Sequence, residues 1–267
     1  MTEIQSQCIG PGMEGRDIAG VSQTGTGKTI AFLLPVVQKL CTEASHASPA
    51  ALIVTPTREL CLQIAEEAER LTKFRDDITT VAIYGGEEYR KQEDALAKQP
   101  QIIAATPGRL IDYIKQNKIS LENLSFLILD EADRMFDMGF IRDVRYIMRR
   151  APESAQNMLF SATMSYYILR LASDFMKDPV EVRIESESVA VDKIEQSLLH
   201  LGRKEKDPYL VNLITNNEDA KAIVFTNYRS KVQHIQRVLR RYGISATGLS
   251  SLLDQKKRIR LLKDFKT

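Results

Sequence analysis

Residues 126–133 read Phe126-Leu127-Ile128-Leu129-Asp130-Glu131-Ala132-Asp133, an apolar run that ends in acidic residues. A continuous apolar run predicts a strand that is covered on both faces, because alternate side chains point to opposite sides of a sheet. Asp130 and Glu131 then lie where the strand ends. The stretch therefore predicts a buried strand with two carboxylates at the edge of a sheet.

Other short apolar runs alternate with longer helical patterns along the chain. Predicted strands occupy residues 51–55, 80–84, 102–105 and 158–160, and an edge strand occupies 180–184. Between the first two runs, Leu60, Ile64, Ala68 and Leu71 recur at the spacing of one helix face. Alternation of strands and helices predicts an α/β fold with a parallel, doubly wound sheet.

The sequence predicts two domains of unequal size. A first domain covers residues 1–185, a polar linker covers 186–198, and a second unit covers 199–267. Residues 222–226 predict a strand in the second unit, and residues 230–242 predict the helix that follows it. The second unit has room for about two strand-helix repeats, so we expect its parallel-sheet domain to be incomplete.

Composition excludes several classes of protein. The 267 residues are 43% hydrophobic and 27% charged, as in ordinary globular proteins, and the net charge of +2 gives no overall basic field. The apolar runs are shorter than the roughly 18 residues of a membrane span, and residues 1–10 do not resemble a signal peptide. Cys8, Cys41 and Cys61 have no metal spacing, which favours reduced thiols in a cytoplasmic protein.

A phosphate-binding loop precedes the acidic stretch. It comprises Ser22, Gln23, Thr24, Gly25, Thr26, Gly27, Lys28 and Thr29. Gly25 and Gly27 permit positive φ and close approach of backbone N–H groups to phosphate oxygens. Lys28 places a positive charge near the β and γ phosphates, and the Thr29 hydroxyl is suited to Mg²⁺. The loop predicts binding of a nucleoside triphosphate with magnesium.

The acidic residues complete this predicted catalytic site. Asp130 is the expected magnesium ligand, acting through water, because Mg²⁺ keeps part of its hydration shell. Glu131 is placed one residue further and is the candidate acceptor of the proton from the attacking water. Lys28, Asp130 and Glu131 are therefore the predicted catalytic residues.

The order of these motifs resembles the DEAD-box family of ATP-dependent RNA helicases. The resemblance rests on the Asp-Glu-Ala-Asp of 130–133, the phosphate loop, and the stretches 56–60, 85–86, 106–109 and 161–163. Residues 130–150 are most similar to bacterial members, with the RNA-degradosome helicases as the nearest branch. The resemblance implies two RecA-like domains, ATP and Mg²⁺ as ligands, and RNA-stimulated ATP hydrolysis coupled to local unwinding of RNA duplexes.

Family membership also implies roles for individual residues. Gln5 corresponds to the residue that reads the adenine edge. Residues of three motifs correspond to those that hold the backbone of single-stranded RNA: Pro56, Thr57, Arg58, Gly86, Thr106, Pro107, Gly108 and Arg109. Asp133, Ser161 and Thr163 correspond to residues that couple nucleotide state to strand separation. The implied partners are ATP, single-stranded or short duplex RNA, and RNA-decay or other ribonucleoprotein components.

The second unit carries fewer family motifs. Residues 224–227 resemble the first motif of the family's second domain, and Gln255 with Arg258 resembles its Gln-x-x-Arg element. The later motifs, including the arginine fingers, are not found in the sequence, so we expect this chain alone to be incomplete for turnover. An alternative is an ATP- and RNA-binding module without helicase activity. A DNA translocase or nuclease motor is a further alternative, and Gln5, Asp133 and residues 56–60 argue against it.

Overall fold

The computed structural model describes residues 1–23, 25–42, 48–184, 195, 197–217, 221–250 and 253–266. Contacts within the chain divide it into two compact units, Met1–Val189 and Ala190–Thr267. Most of the predicted linker, residues 186–198, lies outside the described residues. The domain boundaries expected from the sequence therefore stay predictions.

The first unit is built on a seven-stranded sheet. Its strands are β1 (Ile18–Val21), β2 (Ala51–Val54), β3 (Thr80–Ile83), β4 (Ile102–Ala105), β5 (Phe126–Leu129), β6 (Gln156–Ser161) and β7 (Val180–Arg183). Their order is β3-β4-β2-β5-β6-β1-β7, and all neighbouring pairs are parallel. The sheet confirms the predicted α/β class.

Helices connect these strands, as parallel pairing requires. They are α1 (Glu3–Met13), α2 (Lys28–Thr42), α3 (Arg58–Leu71), α4 (Tyr89–Leu96), α5 (Pro107–Lys115), α6 (Ala132–Asp137), α7 (Ile141–Met148) and α8 (Tyr166–Phe175). Among the described residues, no helix combines the length and the apolar character needed to span a membrane.

Two hydrophobic clusters cover the two faces of the sheet. In β2, Leu52 and Val54 belong to one cluster, whereas Ala51 and Ile53 belong to the other, and all four are fully buried. Burial of each large side chain contributes about 1.5–3 kcal/mol relative to exposure. Packing on both faces explains why the strands are continuously apolar in sequence.

The strand register brings the predicted site residues to one edge of the sheet. Val54 is paired with Leu129 on one side and with Ala105 on the other. The segments that follow β2, β4 and β5 therefore leave the sheet side by side. On the other side of β5, Val21 is paired with Ser161, so the phosphate loop begins beside the end of β6.

The described part of the second unit contains three helices, α9 (Lys206–Thr215), α10 (Arg229–Arg241) and α11 (Gln255–Lys266). Helix α10 agrees with the helix predicted at 230–242. The strand predicted at 222–226 is wrong, because these residues do not form a strand. A strand needs a neighbour for its N–H and C=O groups, and the described residues of this unit supply none. Ile223 and Phe225 are accordingly 62% and 90% exposed.

Candidate nucleotide and RNA site

The phosphate loop joins the end of β1 to the start of α2. Gly25 and Gly27 have φ of +84° and +94°, a conformation that side chains other than hydrogen rarely permit. A Cβ atom on Gly27 would lie 2.5 Å from Nε2 of Gln5. Both glycines are therefore required by the backbone, as the sequence predicted. Thr24, also predicted in this loop, lies outside the described residues.

Hydrogen bonds within the loop hold its shape. The hydroxyls of Ser22 and Thr26 lie 3.0 Å apart, and Thr26 also donates to the carbonyl oxygen of Gln23 at 2.9 Å. Lys28 is buried, and its Nζ donates to the carbonyl oxygen of Ser22 at 2.9 Å. The loop thus encloses an ammonium group at the start of α2, where a helix N-terminus also favours anions.

Gln5 connects helix α1 to this loop. Its Nε2 donates to the carbonyl oxygen of Gly27 at 3.2 Å, and its Oε1 accepts from the backbone N–H of Thr2 at 2.9 Å. The second bond closes the N-terminal cap of α1. The amide nitrogen of Gln5 therefore contacts the nucleotide loop while its amide oxygen is fixed to the start of α1, and its role as an adenine reader stays a prediction.

Asp130 is almost completely buried where β5 ends. Burial raises the pKa of its carboxyl group to about 6, the positive charge of Lys28 opposes this rise, and Glu131 adds to it. One carboxylate oxygen accepts from the backbone N–H of Glu131 at 3.0 Å. The site thus holds a carboxylate whose charged form is unfavourable until a cation compensates it.

Glu131 adopts an unusual backbone conformation. Its φ and ψ are +52° and +51°, in the left-handed region, and it precedes the first residue of α6. Its carboxylate is buried, and Oε2 lies 3.0 Å from Nη1 of Arg134. A residue other than glycine in this region costs about 1–3 kcal/mol, and such residues concentrate at functional sites.

The donor groups at this edge are suited to Mg²⁺ that binds together with a nucleotide. Among the described residues, no group of three or more His, Cys, Asp and Glu side chains could hold a metal ion. The predicted ligands are the Asp130 carboxylate and the Thr29 hydroxyl in the first turn of α2. Mg²⁺ commonly binds through one or two carboxylates, waters and substrate phosphates, so this sparse donor set suits a metal that arrives with a nucleotide.

Asp133, which follows β5, is hydrogen-bonded to the last residue of β6 and to the segment after it. Its backbone N–H donates to the hydroxyl oxygen of Ser161 at 3.3 Å. Its carboxylate accepts from the backbone N–H and from the hydroxyl of Thr163, at 3.0 and 3.1 Å. The three residues predicted as coupling elements are therefore in direct contact, and their coupling role stays a prediction.

The predicted RNA-binding motifs follow β2, β3 and β4. Thr57 caps α3, because its hydroxyl accepts from the N–H of Leu60 at 3.3 Å. Gly86 has a φ of +86°, and a Cβ atom there would lie 2.3 Å from Nη1 of Arg58. The Arg58 guanidinium therefore packs directly against the glycine turn. The motifs form one surface at the edge of the sheet, next to the acidic residues.

Within this surface the predicted residues differ in exposure. Gly86 and Gly108 are exposed, Thr57 and Arg58 are half-buried, and Pro56, Thr106, Pro107 and Arg109 are buried. The burial of Arg109 differs from what its predicted role implies, since a residue that holds the RNA backbone directly needs an accessible guanidinium. Its Nη2 donates to the carbonyl oxygen of Glu87 at 3.1 Å, and its guanidinium lies over the ring of Tyr89.

Three residues in this region were not identified from the sequence. Tyr89 stacks on Arg109, Gln92 binds both backbone groups of Tyr84, and Arg134 pairs with Glu131. Gln92 carried a usable signal, because it is a polar residue on the buried side of a short helix that follows a glycine turn. Arg134 carried a weaker signal, its spacing of three residues from Glu131, whereas the contact of Tyr89 depends on side-chain conformation, which no sequence pattern predicts.

Comparison with known proteins agrees with this arrangement. Residues 2–171 match the family described as DEAD/DEAH box helicase, and residues 205–267 match the helicase conserved C-terminal domain. The chain is 42% identical over 274 residues to the ATP-dependent RNA helicase RhlB of Xanthomonas axonopodis pv. citri, covering 99% of this chain and 48% of that protein. It is 41% identical to RhlB of Pseudomonas putida, covering 99% of this chain and 68% of that protein.

A relative with a different name shows similar identity. The DEAD-box ATP-dependent RNA helicase CshA of Streptococcus pneumoniae is 40% identical over 263 residues, which cover 98% of this chain and 50% of that protein. The chain thus spans about half the length of several curated relatives that it matches.

Proposed function

The chain belongs to the DEAD/DEAH box helicase family, and on that basis we propose that it binds ATP with Mg²⁺ and couples ATP hydrolysis to local unwinding of RNA duplexes. The observation that carries this proposal is the position of Lys28 beside Asp130. The buried Lys28 ammonium lies in the glycine-rich loop, and the buried Asp130 carboxyl lies at the end of β5. The charge of Lys28 lowers the pKa of Asp130 and so opposes the effect of burial. This pairing is suited to a polyphosphate and its metal ion.

Each residue has a defined part in the proposed reaction. Lys28 moves from the Ser22 carbonyl to the β and γ phosphates, and the loop N–H groups hold the remaining phosphate oxygens. Asp130 and Thr29 would hold Mg²⁺, which supplies positive charge to the phosphates when it is bound. Glu131 accepts a proton from water as the water oxygen bonds to the γ phosphorus. The bond to the bridging oxygen breaks, and ADP leaves.

The RNA part of the proposal rests on the surface formed by the motifs after β2, β3 and β4. This surface offers hydroxyls, exposed glycine backbone and the Arg58 guanidinium, which are groups that contact phosphate and sugar. We therefore propose binding to the RNA backbone with little preference for sequence. The Asp133 bridge joins the segment after β5, the neighbour of β2, to the segment after β6, which supports a role in coupling.

The cellular setting belongs to the same proposal. The resemblance of residues 130–150 to RNA-degradosome helicases supports RNA-decay or other ribonucleoprotein components as partners, with single-stranded or short duplex RNA as the substrate. The cysteines, two of them buried, support a cytoplasmic location.

Substitution of Lys28 by alanine tests the nucleotide site. We expect the affinity for fluorescent ADP with Mg²⁺ to fall at least about a hundredfold, because the loop loses the charge that faces the phosphates. Titration by fluorescence anisotropy measures this loss. Lys39→Ala is the matched control, since Lys39 lies in the last turn of the same helix and is exposed. Equal binding by wild type and Lys28→Ala would disprove the assignment of the loop.

Substitution of Arg58 by alanine tests the RNA surface. We expect weaker binding to all single-stranded RNAs by a similar factor, because a phosphate contact carries no sequence information. The slope of log affinity against log salt concentration should decrease in magnitude by about 0.7, the value for one contact to a single strand. Arg70→Ala, an exposed arginine at the other end of α3, should bind as wild type does. A changed sequence preference in Arg58→Ala would show that bases are read.

A further inference from the structure

The glycine turn after β3, residues 85–87, is fastened at both ends. Before the turn, Gln92 accepts from the N–H of Tyr84 at 3.1 Å and donates to its carbonyl oxygen at 3.0 Å. After the turn, Nη2 of Arg109 donates to the carbonyl oxygen of Glu87 at 3.1 Å. Gln92 and Arg109 are only 4% and 8% exposed. The turn is thus held by buried side chains that reach it from α4 and α5.

Arg109 is in turn held by an aromatic ring. Its guanidinium carbon lies 3.8 Å from the centre of the Tyr89 ring. The ring of Tyr113 meets Tyr89 edge-on at 5.8 Å, and its hydroxyl donates to the carbonyl oxygen of Tyr89 at 3.3 Å. The Tyr89 hydroxyl donates to a carboxylate oxygen of Asp112, also at 3.3 Å. Tyr89 is therefore fixed by three contacts that do not involve Arg109.

The burial of Arg109 makes this stacking important. Its Nη1 is buried and has no hydrogen-bond partner among the described residues. A buried guanidinium needs compensation for lost water, and a cation over an aromatic face is attracted more strongly when it is desolvated. Two rings supply that compensation: the Tyr89 ring is the closer, at 3.8 Å, and the Tyr113 ring lies at 5.9 Å. Without the Tyr89 ring, we expect Arg109 to leave its position and to release the carbonyl of Glu87.

We propose that Tyr89 is a positioning residue for RNA binding: it holds Arg109 in place so that Arg109 can fix the 85–87 turn. This inference rests on the proposed RNA-binding function. The RNA backbone then meets the backbone of the exposed Gly86 and the Arg58 guanidinium that packs on it. Arg109 acts from beneath the turn and forms no ion pair with phosphate.

The test compares four variants of the full chain in binding to a fluorescein-labelled uridine homopolymer. Tyr89→Leu removes the ring, and we expect the dissociation constant to rise about tenfold. Tyr89→Phe keeps the ring and loses only the hydroxyl, so binding should stay within about twofold of wild type. Arg109→Ala should weaken binding as Tyr89→Leu does. The double variant should be no weaker than the weaker single variant, because both act through one contact.

Salt dependence separates positioning from direct contact. Neither Tyr89 nor the turn N–H groups carry a charge, so Tyr89→Leu and Arg109→Ala should keep the wild-type slope against salt concentration. Arg58→Ala is the internal standard, because the slope of log affinity against log salt concentration should decrease in magnitude for this variant. Tyr146→Leu is the matched control for the loss of an arginine stack, because Arg150 lies 3.5 Å from the centre of its ring. That variant should bind RNA as wild type does.

Three outcomes would overturn the positioning role. One is wild-type affinity in Tyr89→Leu, and another is an additive loss in the double variant, which would indicate that Tyr89 contacts RNA itself. The third is a slope reduced by about 0.7 in Arg109→Ala, which would indicate a direct phosphate contact. Failure of the wild type to bind RNA is a separate result, and it would remove the proposed function along with this role. Fluorescent ADP binding should stay unchanged in every variant.

Discussion

Glu131→Gln is expected to bind ATP with Mg²⁺ as the wild type does and to lose ATP hydrolysis by a factor of about 10² to 10⁴, the usual contribution of a general base. Glutamine keeps the size of the side chain and can still accept a hydrogen bond from Arg134, which lies 3.0 Å from the glutamate. It cannot accept a proton from water. Binding of a fluorescent ATP analogue and the residual release of phosphate by this chain, measured side by side, separate the two effects.

The control for this prediction is Glu122→Gln, which changes an exposed glutamate in the segment before β5. It should hydrolyse ATP at the wild-type rate. Undiminished phosphate release by Glu131→Gln would mean that another group removes the proton. Loss of ATP binding would instead show that Glu131 contributes to the binding of ATP before hydrolysis begins.

Asp130→Asn is expected to make the nucleotide-free protein more stable while it loses Mg²⁺-dependent nucleotide binding. The folded pKa of Asp130 is raised from 3.8 to about 6, so the folded state binds the proton more tightly than the unfolded state does. Stability therefore falls as pH rises from about 4 to about 6, and the full penalty, on the order of 3 kcal/mol, is present at pH 7. Asparagine carries no charge and keeps an oxygen for the N–H of Glu131.

Urea unfolding at two pH values measures this effect. At about pH 7 the Asn variant should be more stable by up to about 3 kcal/mol, and near pH 4 the difference should largely disappear. Asp133→Asn should have the opposite effect and lower the stability. The Asp133 carboxylate accepts two hydrogen bonds from Thr163, and these stabilise the fold. Lower stability of Asp130→Asn at pH 7 would contradict the unfavourable burial of this charge.

The sequence was most informative at positions where the backbone conformation allows only glycine and at positions where a strand is covered on both faces of the sheet. Continuous apolar runs such as 126–129 predicted the central strands, because both sides of the sheet are covered. Gly25 and Gly27 predicted the phosphate loop, because positive φ leaves few other choices. The residues that follow the strands were then placed correctly at one edge, since parallel strands all end there.

Other features could not be predicted in the same way. An apolar run predicts a strand only if a neighbouring strand is present, and residues 222–226 show the error that follows from ignoring this condition. The burial of Arg109 under Tyr89 depends on side-chain packing, whereas the predicted RNA contact implied an accessible guanidinium. The left-handed conformation of Glu131 was likewise invisible, because glutamate is an uncommon residue for that region.

The strand order has a consequence for how the protein is made on the ribosome. Strand β1, which carries the phosphate loop, is synthesised first, yet its neighbours are β6 and β7, so that Ile18 pairs with Met158 and with Val180. During synthesis a domain generally folds as one unit. Within this unit, β1 is synthesised before its two partner strands, so it cannot enter the sheet until nearly the whole unit has been made. The nucleotide site is consequently among the last parts of this unit to assemble, and a nascent chain released early would lack it.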